Sequence, residues 1–206
     1  MDKYLTLPYI ASASGVALLL ILSLLISFLR KKKARALNLT PPAPSIPEFI
    51  EVFDIERQLF VHDPFDSSED SIIEEDKLQS VLLTLVIGLR EYQTKVFENP
   101  TEQHKAMDAV GTSLEGAGVV PIAYTQWNQS PIQGIAAKVI IRGKVRTALF
   151  GPSLAMVRNT APLRPEFIEI NESATKAGHI VFIFAIDGLA YAIFDISHRL
   201  QEVINS

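Results

Sequence analysis

The longest apolar run of the chain lies near its N-terminus, at residues 9–29 (YIASASGVALLLILSLLISFL). As a helix this run spans about 31 Å, which matches the ~30 Å hydrocarbon core of a bilayer. Because only a helix satisfies its own backbone groups in lipid, the run predicts a single transmembrane helix. A cleaved signal peptide is the alternative, but its apolar region is usually about 7–15 residues long and follows a basic start.

A basic cluster follows this run directly and sets the expected orientation. One lysine and one aspartate precede the run, whereas five cations follow it: Arg30, Lys31, Lys32, Lys33 and Arg35. The positive-inside rule therefore predicts a single-pass protein of the cell membrane, with residues 1–8 outside and the C-terminal domain in the cytoplasm. Residues 30–47 form the expected linker, and four prolines at its end (TPPAPSIP) favour a stiff, extended spacer.

The expected domain covers residues 48–206, beyond the linker. Its first half predicts one strand and two helices. Residues 48–60 predict a strand. Residues 75–92 place apolar side chains at i, i+3, i+4 and i+7, the spacing of an amphipathic helix. Residues 101–117 predict a second helix, which Thr101 can cap at its start. The acidic residues 62–76 between strand and helix are typical of a solvated loop.

The second half of the domain predicts two hairpins and a helix. Residues 134–150 suggest two strands around a tight turn at Arg142–Gly143. Residues 164–176 predict a helix with Pro165 at its start and Gly178 beyond its end. Residues 179–196 form two apolar strands around Asp187–Gly188, a pair suited to a type I′ turn. This order predicts an α+β fold in which helices cover an antiparallel sheet.

Composition and charge exclude several classes of protein. The 206 residues are 48% hydrophobic, which excludes wholesale disorder, and the absence of cysteine excludes disulfides, thiolate metal sites and a cysteine nucleophile. A net charge of −4 argues against a nucleic-acid partner. From residue 36 onward, 13 Lys+Arg face 22 Asp+Glu, so an anionic leaflet should repel the domain and the spacer should hold it clear.

The residue types that usually carry chemistry are scattered. The four histidines, at positions 62, 104, 179 and 198, show no convincing metal-ligand spacing, so a structural role is expected for each. The acidic cluster at residues 69–76 lacks the spacing of an EF-hand, and a hydrated loop is the simpler interpretation. Trp127 stands alone in a polar run, where it is either an exposed contact residue or packed beneath a loop. We predict no metal site.

Four segments resemble, in order, the stretch of a P-type cation-transporting ATPase from its phosphorylation site through its nucleotide-binding (N) domain. Residues 52–59 (VFDIERQL) correspond to the V-F-D-K-T-G-T-L strand end, and residues 99–107 (NPTEQHKAM) to the S-E-H-P-L-A-K-A-I helix start of heavy-metal pumps. Residues 131–151 resemble the P-G-x-G-V hairpin, and residues 177–199 the exit from the N domain. The resemblance covers about three quarters of the chain and implies an N-domain-like fold for residues 48–206.

The departures from this family concern the catalytic parts. The resemblance puts Asp54 at the position of the phosphoryl acceptor, but isoleucine replaces the lysine that follows, and Glu56 adds a like charge. Because phosphoryl transfer depends on positioning and charge neutralisation, this site should be disabled and we predict no catalytic residue. The chain also lacks the family's T-G-E and G-D-G-x-N-D segments, and one membrane helix cannot enclose an ion pathway.

The nucleotide contacts of heavy-metal pumps are mostly replaced as well. The resemblance puts Thr101, Ile132, Gly134 and Pro152 at those positions, where only Gly134 is retained. Ile132 brings a branched side chain to a position where the backbone would have to approach the ligand closely. Pro152 cannot supply the amide hydrogen bonds of an asparagine. His104 lies one helical turn from Thr101. The resemblance thus leaves Thr101, His104 and Gly134 as candidate nucleotide contacts, with ATP and Mg²⁺ as candidate ligands.

The leading hypothesis is a membrane-anchored, catalytically inactive P-type-ATPase-like domain that acts as a binding or regulatory module. The first alternative is a subunit of a split cation-transporting ATPase, which binds ATP and associates with a multi-pass membrane protein. The second alternative is an unrelated membrane-anchored adaptor.

Overall fold

The computed structural model describes residues 49–61, 73–130 and 133–203. The predicted transmembrane helix, the basic cluster and the linker lie outside these residues, as do Pro131 and Ile132. No helix within the described residues is long and apolar enough to cross a membrane. Phe49–Ser206 forms one compact unit, and all elements given below belong to it.

The described residues of this unit form six strands and four helices. In chain order the elements are β1 Phe49–Phe60, α1 Glu75–Val96, α2 Glu102–Gly116, β2 Tyr124–Ser130, β3 Gly134–Ile141, β4 Lys144–Pro152, α3 Ser153–Met156, α4 Pro165–Ala177, β5 Ile180–Ile186 and β6 Leu189–Glu202. The six strands make one sheet in the order β1-β6-β5-β4-β3-β2, and every neighbouring pair is antiparallel. The predicted α+β fold with an antiparallel sheet is confirmed.

Helices cover the sheet on both faces, and each face has its own apolar core. The larger core lies between the sheet and the pair α1 and α2, and it includes Leu82, Leu85, Val110, Phe150 and Phe194. The smaller core lies under α3 and α4 and contains Met156, Phe167, Ile183 and Ile193. The central strands β5 and β6 read as apolar runs because both of their faces are buried.

The predicted helices are confirmed, and their ends follow the expected capping chemistry. Helix α2 begins after Thr101, whose hydroxyl accepts a hydrogen bond from the N–H of His104. Helix α4 begins at Pro165 and ends at Ala177, and Gly178 caps it with a left-handed φ of 78°. Helix α1 extends beyond the predicted end to Val96. Glu75 and Asp76, which fall in both the predicted loop and the predicted helix, form the first turn of the helix, where acidic side chains interact favourably with its dipole.

Both predicted hairpin turns are confirmed by their backbone angles. Arg142 and Gly143 have φ values of 49° and 73°, and Asp187 and Gly188 have values of 48° and 79°. Two consecutive positive φ angles define the type I′ geometry, which matches the twist of the flanking strands. The side chain of Asp187 connects its turn to β4, because it accepts hydrogen bonds from the Thr147 N–H and from Arg146, both at 2.8 Å.

Two elements were not predicted from the sequence. Strand β2 has a polar sequence (YTQWNQS) because it is an edge strand, and a bulge at Gln126, with φ 51°, interrupts its pairing with β3. Trp127 of this strand is neither exposed nor beneath a loop. It lies half-buried on α1, where its indole N–H donates to the Leu85 carbonyl at 3.1 Å. Helix α3 is a single turn, too short for a periodic signal.

Candidate functional site

The N-terminus of α2 brings Thr101 and His104 together in a capping box. The Thr101 hydroxyl accepts from the His104 N–H at 3.3 Å, and His104 Nδ1 accepts from the Thr101 N–H at 3.4 Å. Such reciprocal bonds satisfy two backbone donors that a helix start leaves without partners. Two of the three predicted nucleotide contacts are therefore neighbours, and the side chains of both form hydrogen bonds that cap α2.

His104 also links α2 to the edge of the sheet. Its Nε2 atom lies 2.6 Å from the terminal amide group of Gln129 on β2. Burial lowers the pKa of His104, and the negative charge of Glu98 opposes that shift. A neutral imidazole is consistent with its role in the cap, because Nδ1 must keep its lone pair to accept from Thr101. The proton of the neutral ring is then on Nε2, so the Gln129 amide faces it with its oxygen and accepts this hydrogen bond.

Two clefts meet at His104, which lines both of them. The first has a volume of about 410 Å³ and lies between α2, α1 and β1, where Phe53, Arg90 and Lys105 form part of its wall. The second has a volume of about 470 Å³ and lies towards β2, with Tyr92 and Gln129 in its wall. Volumes of this size fit a small organic ligand.

Each cleft contains a side-chain amide atom that lacks a hydrogen-bond partner among the described residues. Gln93 Nε2 is a buried donor at the first cleft, and at the second cleft one end of the Gln129 amide, its N–H₂ group once the oxygen accepts from His104, is also without a partner. Burying a polar atom without a partner costs about 1–3 kcal/mol, so such atoms are uncommon in native folds. These two amides are the positions at which the clefts have unused hydrogen-bonding capacity.

The charged residues around the first cleft are paired with one another. Lys105 donates to Glu51, and this contact lowers the pKa of Glu51 below its ordinary value. Arg90 donates to Asp108 and, at 2.7 Å, to Glu115. These pairs join β1 and α1 to α2 and leave the cleft mixed in charge.

Gly134 lies away from these clefts, and the packing of two strands explains why a glycine is needed at this position. It has a φ of 93°, and a Cβ atom added to it would collide with the Phe150 carbonyl oxygen of β4. Gly151 shows the reverse relation, because its Cβ would collide with the Gln133 carbonyl oxygen. The two glycines thus permit close backbone packing of β3 on β4, and Gly134 is not part of either cleft wall.

Asp54 lies in the middle of β1, sixth of its twelve residues and opposite Ser197 of β6. This agrees with the strand predicted for residues 48–60 and differs from the motif of the pump family, which lies at a strand end. The Asp54 carboxylate accepts from Arg199 Nε at 3.0 Å. Since successive strand side chains point to opposite faces, Asp54 faces away from the cleft that Phe53 lines.

Asp195 is the most buried charged group of the described residues, and no sequence signal pointed to it. Its carboxylate is 2% exposed and accepts from Arg57 Nε at 3.0 Å, while His179 Nδ1 lies 2.7 Å from its other oxygen. Arg57 also donates to Ser173 Oγ on α4. This network ties β1 and β6 to α4. Within the described residues no three His, Asp or Glu side chains are placed to share a metal ion.

Comparisons with known proteins give a partial structural likeness. No protein-family model matches the chain, and no curated protein matches it. A solved structure of a zinc-transporting PIB-type ATPase in its E2.Pi state is similar over 65% of this chain, with 16% identity and a TM-score of 0.41. A second structure of a zinc-transporting PIB-type ATPase, in another state, is similar over 63%, with 15% identity and a TM-score of 0.45. The likeness spans 18% of each pump chain.

Proposed function

We propose that this chain is a membrane-anchored, catalytically inactive domain of P-type-ATPase-like design, which binds a ligand at His104 and acts as a binding or regulatory module. The anchor is the apolar run at residues 9–29, which the basic cluster orients. The ligand class that the sequence resemblance suggests is a nucleotide, ATP or ADP, bound without turnover.

The observation that carries this proposal is the position of His104 between two clefts. The imidazole is held on one side by the cap of α2 and on the other by Gln129. A side chain fixed at both ends presents its ring without a further loss of conformational freedom on binding. Tyr92 lines the adjoining cleft and offers an aromatic surface, and the free N–H₂ group of the Gln129 amide offers a donor for a ring nitrogen of a base.

The setting of Asp54 supports binding without catalysis. A phosphoryl acceptor needs cations and hydroxyl donors that neutralise the transferring group. Asp54 has one cationic partner, Arg199, while neighbouring Glu56 accepts from the Ser197 hydroxyl at 2.6 Å and adds negative charge. A nucleotide in the His104 clefts would also lie on the opposite face of the sheet from the Asp54 carboxylate.

Calorimetric titration of the full chain with ATP and ADP, with and without Mg²⁺, tests the binding. We expect saturable binding that His104→Ala weakens by about tenfold, which corresponds to ~1.4 kcal/mol. Gln129→Leu, which removes the free amide donor and the partner of His104 Nε2, should weaken it as well. Gln79→Leu on α1 is the matched control, since Gln79 bonds only Glu75 of its own helix and lies outside both clefts.

Phosphate release and mass spectrometry test the absence of turnover. The full chain should release no phosphate from Mg·ATP, and Asp54→Asn should leave the titration unchanged. An acyl-phosphate on Asp54 would refute catalytic inactivity. Absence of any nucleotide binding would refute the proposal that the ligand is a nucleotide. Co-purification with a multi-pass protein that restores turnover would favour the split pump instead.

A further inference from the structure

The two clefts at His104 are lined by more acidic than basic side chains. Two cations line them, Arg90 and Lys105, both in the first cleft. A neutral His104 adds nothing to this balance. The carboxylates number four, Glu51 and Asp108 in the first cleft and Glu98 and Glu102 in the second. Negative charge therefore exceeds positive charge by two among the residues that line the clefts.

Both cations of the first cleft already hold carboxylates. Lys105 donates to Glu51, and Arg90 donates to Asp108 and, at 2.7 Å, to Glu115. A phosphate that approached either cation would have to lie beside these carboxylates or replace one of them. Either arrangement brings negative charges close together, where they repel one another. Lys105 and Arg90 are therefore not available as a phosphate site.

The start of α2, which lies at both clefts, is also poorly suited to phosphate. Helix N-termini bind phosphate through N–H groups without partners and through the positive end of the helix dipole. In α2 the His104 N–H donates to the Thr101 hydroxyl, and the Glu102 carboxylate lies in the first turn. Glu98 adds a second negative charge at the same cleft, and no cation of the described residues lies within 4.0 Å of it.

The hydrogen-bonding capacity that remains in the clefts is neutral. It belongs to the side-chain amides of Gln93 and Gln129, one in each cleft. Tyr92 adds an aromatic surface to the second cleft. A base and its ribose offer a flat ring and uncharged donors and acceptors, which match groups of this kind.

We propose that the His104 clefts bind the base and ribose of their ligand and repel its phosphates, so that adenosine binds more tightly than ADP or ATP. This inference rests on the proposed function at His104 and narrows the ligand to a nucleoside. Two unit charges about 10 Å apart in water change a binding constant by about twofold. Because each phosphate meets an excess of negative charge, affinity should fall by about twofold or more with each phosphate added.

Calorimetric titration of the full chain with adenosine, AMP, ADP and ATP at low salt measures this order. ATP should bind at least about eightfold more weakly than adenosine, since it carries three phosphates. Added salt should narrow the difference because it screens charge, and Mg²⁺ should strengthen ATP binding because it neutralises phosphate. Tripolyphosphate should not displace adenosine, and displacement would overturn the proposal because phosphates would then bind in the clefts.

Removal of one charge from the second cleft tests the cause of the order. Glu98→Gln breaks no ion pair with a described residue and should strengthen ATP binding relative to adenosine by about twofold. Glu169→Gln is the matched control, because it removes the same charge from an exposed position on α4, on the other face of the sheet. It should leave the ratio of the two affinities unchanged.

The outcomes separate the preference for a nucleoside from ligand binding itself. ATP binding that equals or exceeds adenosine binding, and that His104→Ala weakens, would overturn the preference but not the proposed function. Adenosine binding without measurable ATP binding would support the preference. No binding of any of the four compounds would overturn both proposals. Equal changes of the ratio by Glu98→Gln and Glu169→Gln would overturn the local repulsion, because the charge of the whole domain would then cause the order.

Discussion

Trp127 lies across Gly88, so closely that a Cβ atom on this glycine would overlap the indole ring. The contact explains why a glycine stands in the middle of α1, where it costs about 0.5–1 kcal/mol relative to alanine. It also fixes β2 to the helix, because the indole N–H donates to the Leu85 carbonyl of the preceding turn. Tyr92 packs against the same indole, with ring centroids 5.5 Å apart.

Gly88→Ala should therefore destabilise the domain although it raises helix propensity. The new methyl group must displace the Trp127 ring, and overpacking of this kind costs about 1–3 kcal/mol. Urea denaturation followed by tryptophan fluorescence gives the free energy of unfolding. Gly116→Ala is the matched control, since Gly116 ends α2 with open space where a methyl group would lie and should be neutral or stabilising. Equal effects of the two substitutions would contradict the contact.

The backbone packing at Gly134 makes a second prediction about stability. Gly134→Ala combines a positive φ with a collision against the Phe150 carbonyl, whereas Gly143→Ala has a φ of 73° and open space. Both substitutions introduce backbone strain of about 1 kcal/mol or more, and only Gly134→Ala adds the collision. We expect Gly134→Ala to lose at least ~1 kcal/mol more in thermal or urea denaturation, because overpacking costs that much or more. A smaller loss than that of Gly143→Ala would contradict the packing.

The same glycine shows what a sequence resemblance can and cannot supply. Gly134 matches a glycine of the sequence pattern to which the chain was compared, but strand packing accounts for it, so such a match alone does not identify a ligand contact. Helices α1, α2 and α4 and both hairpins were predictable because periodicity, caps and Asp-Gly or Arg-Gly turns are local signals. Gln129 and Gln93 were not predictable, since their importance arises from contacts between distant elements.

The edge of the sheet also shows features that local sequence patterns do not predict. Strand β2 is polar and bulged because it is exposed at an edge, and these properties remove the alternation by which strands are recognised. Pairing of β1 with β6 places Asp54 opposite Ser197 and beside Arg199. Pairing of this kind joins residues that are far apart along the chain, which no local pattern encodes.

The two carboxylates on β1 and β6 should differ sharply in their contribution to stability. Asp195 is 2% exposed and joins Arg57 to His179, so Asp195→Asn weakens two hydrogen bonds at a buried position and should cost about 1–3 kcal/mol. Asp54 forms its ion pair with Arg199 at an exposed position, and Asp54→Asn should cost about 1 kcal/mol or less. Chemical denaturation of both variants compares the two sites directly. A loss at Asp195 no greater than at Asp54 would contradict the buried network.

The capping box at His104 predicts a dependence of stability on pH. Burial lowers the pKa of His104 in the folded state below its ordinary value of about 6.5. The unfolded chain therefore takes up this proton at a higher pH than the folded chain does. The free energy of unfolding should fall as the pH drops below about 6.5, until the folded pKa has been passed.

His104→Gln removes this component, because glutamine does not titrate. The difference in unfolding free energy between pH 7.5 and pH 5.5 should be smaller in His104→Gln than in the natural chain, whereas His198→Gln should retain the component of His104. The structural reason is that a protonated Nδ1 cannot accept from the Thr101 N–H, so protonation breaks the cap and adds positive charge at the start of α2, where the helix dipole disfavours it. If His104→Gln keeps the full pH dependence, another group titrates and the imidazole does not act as a neutral cap.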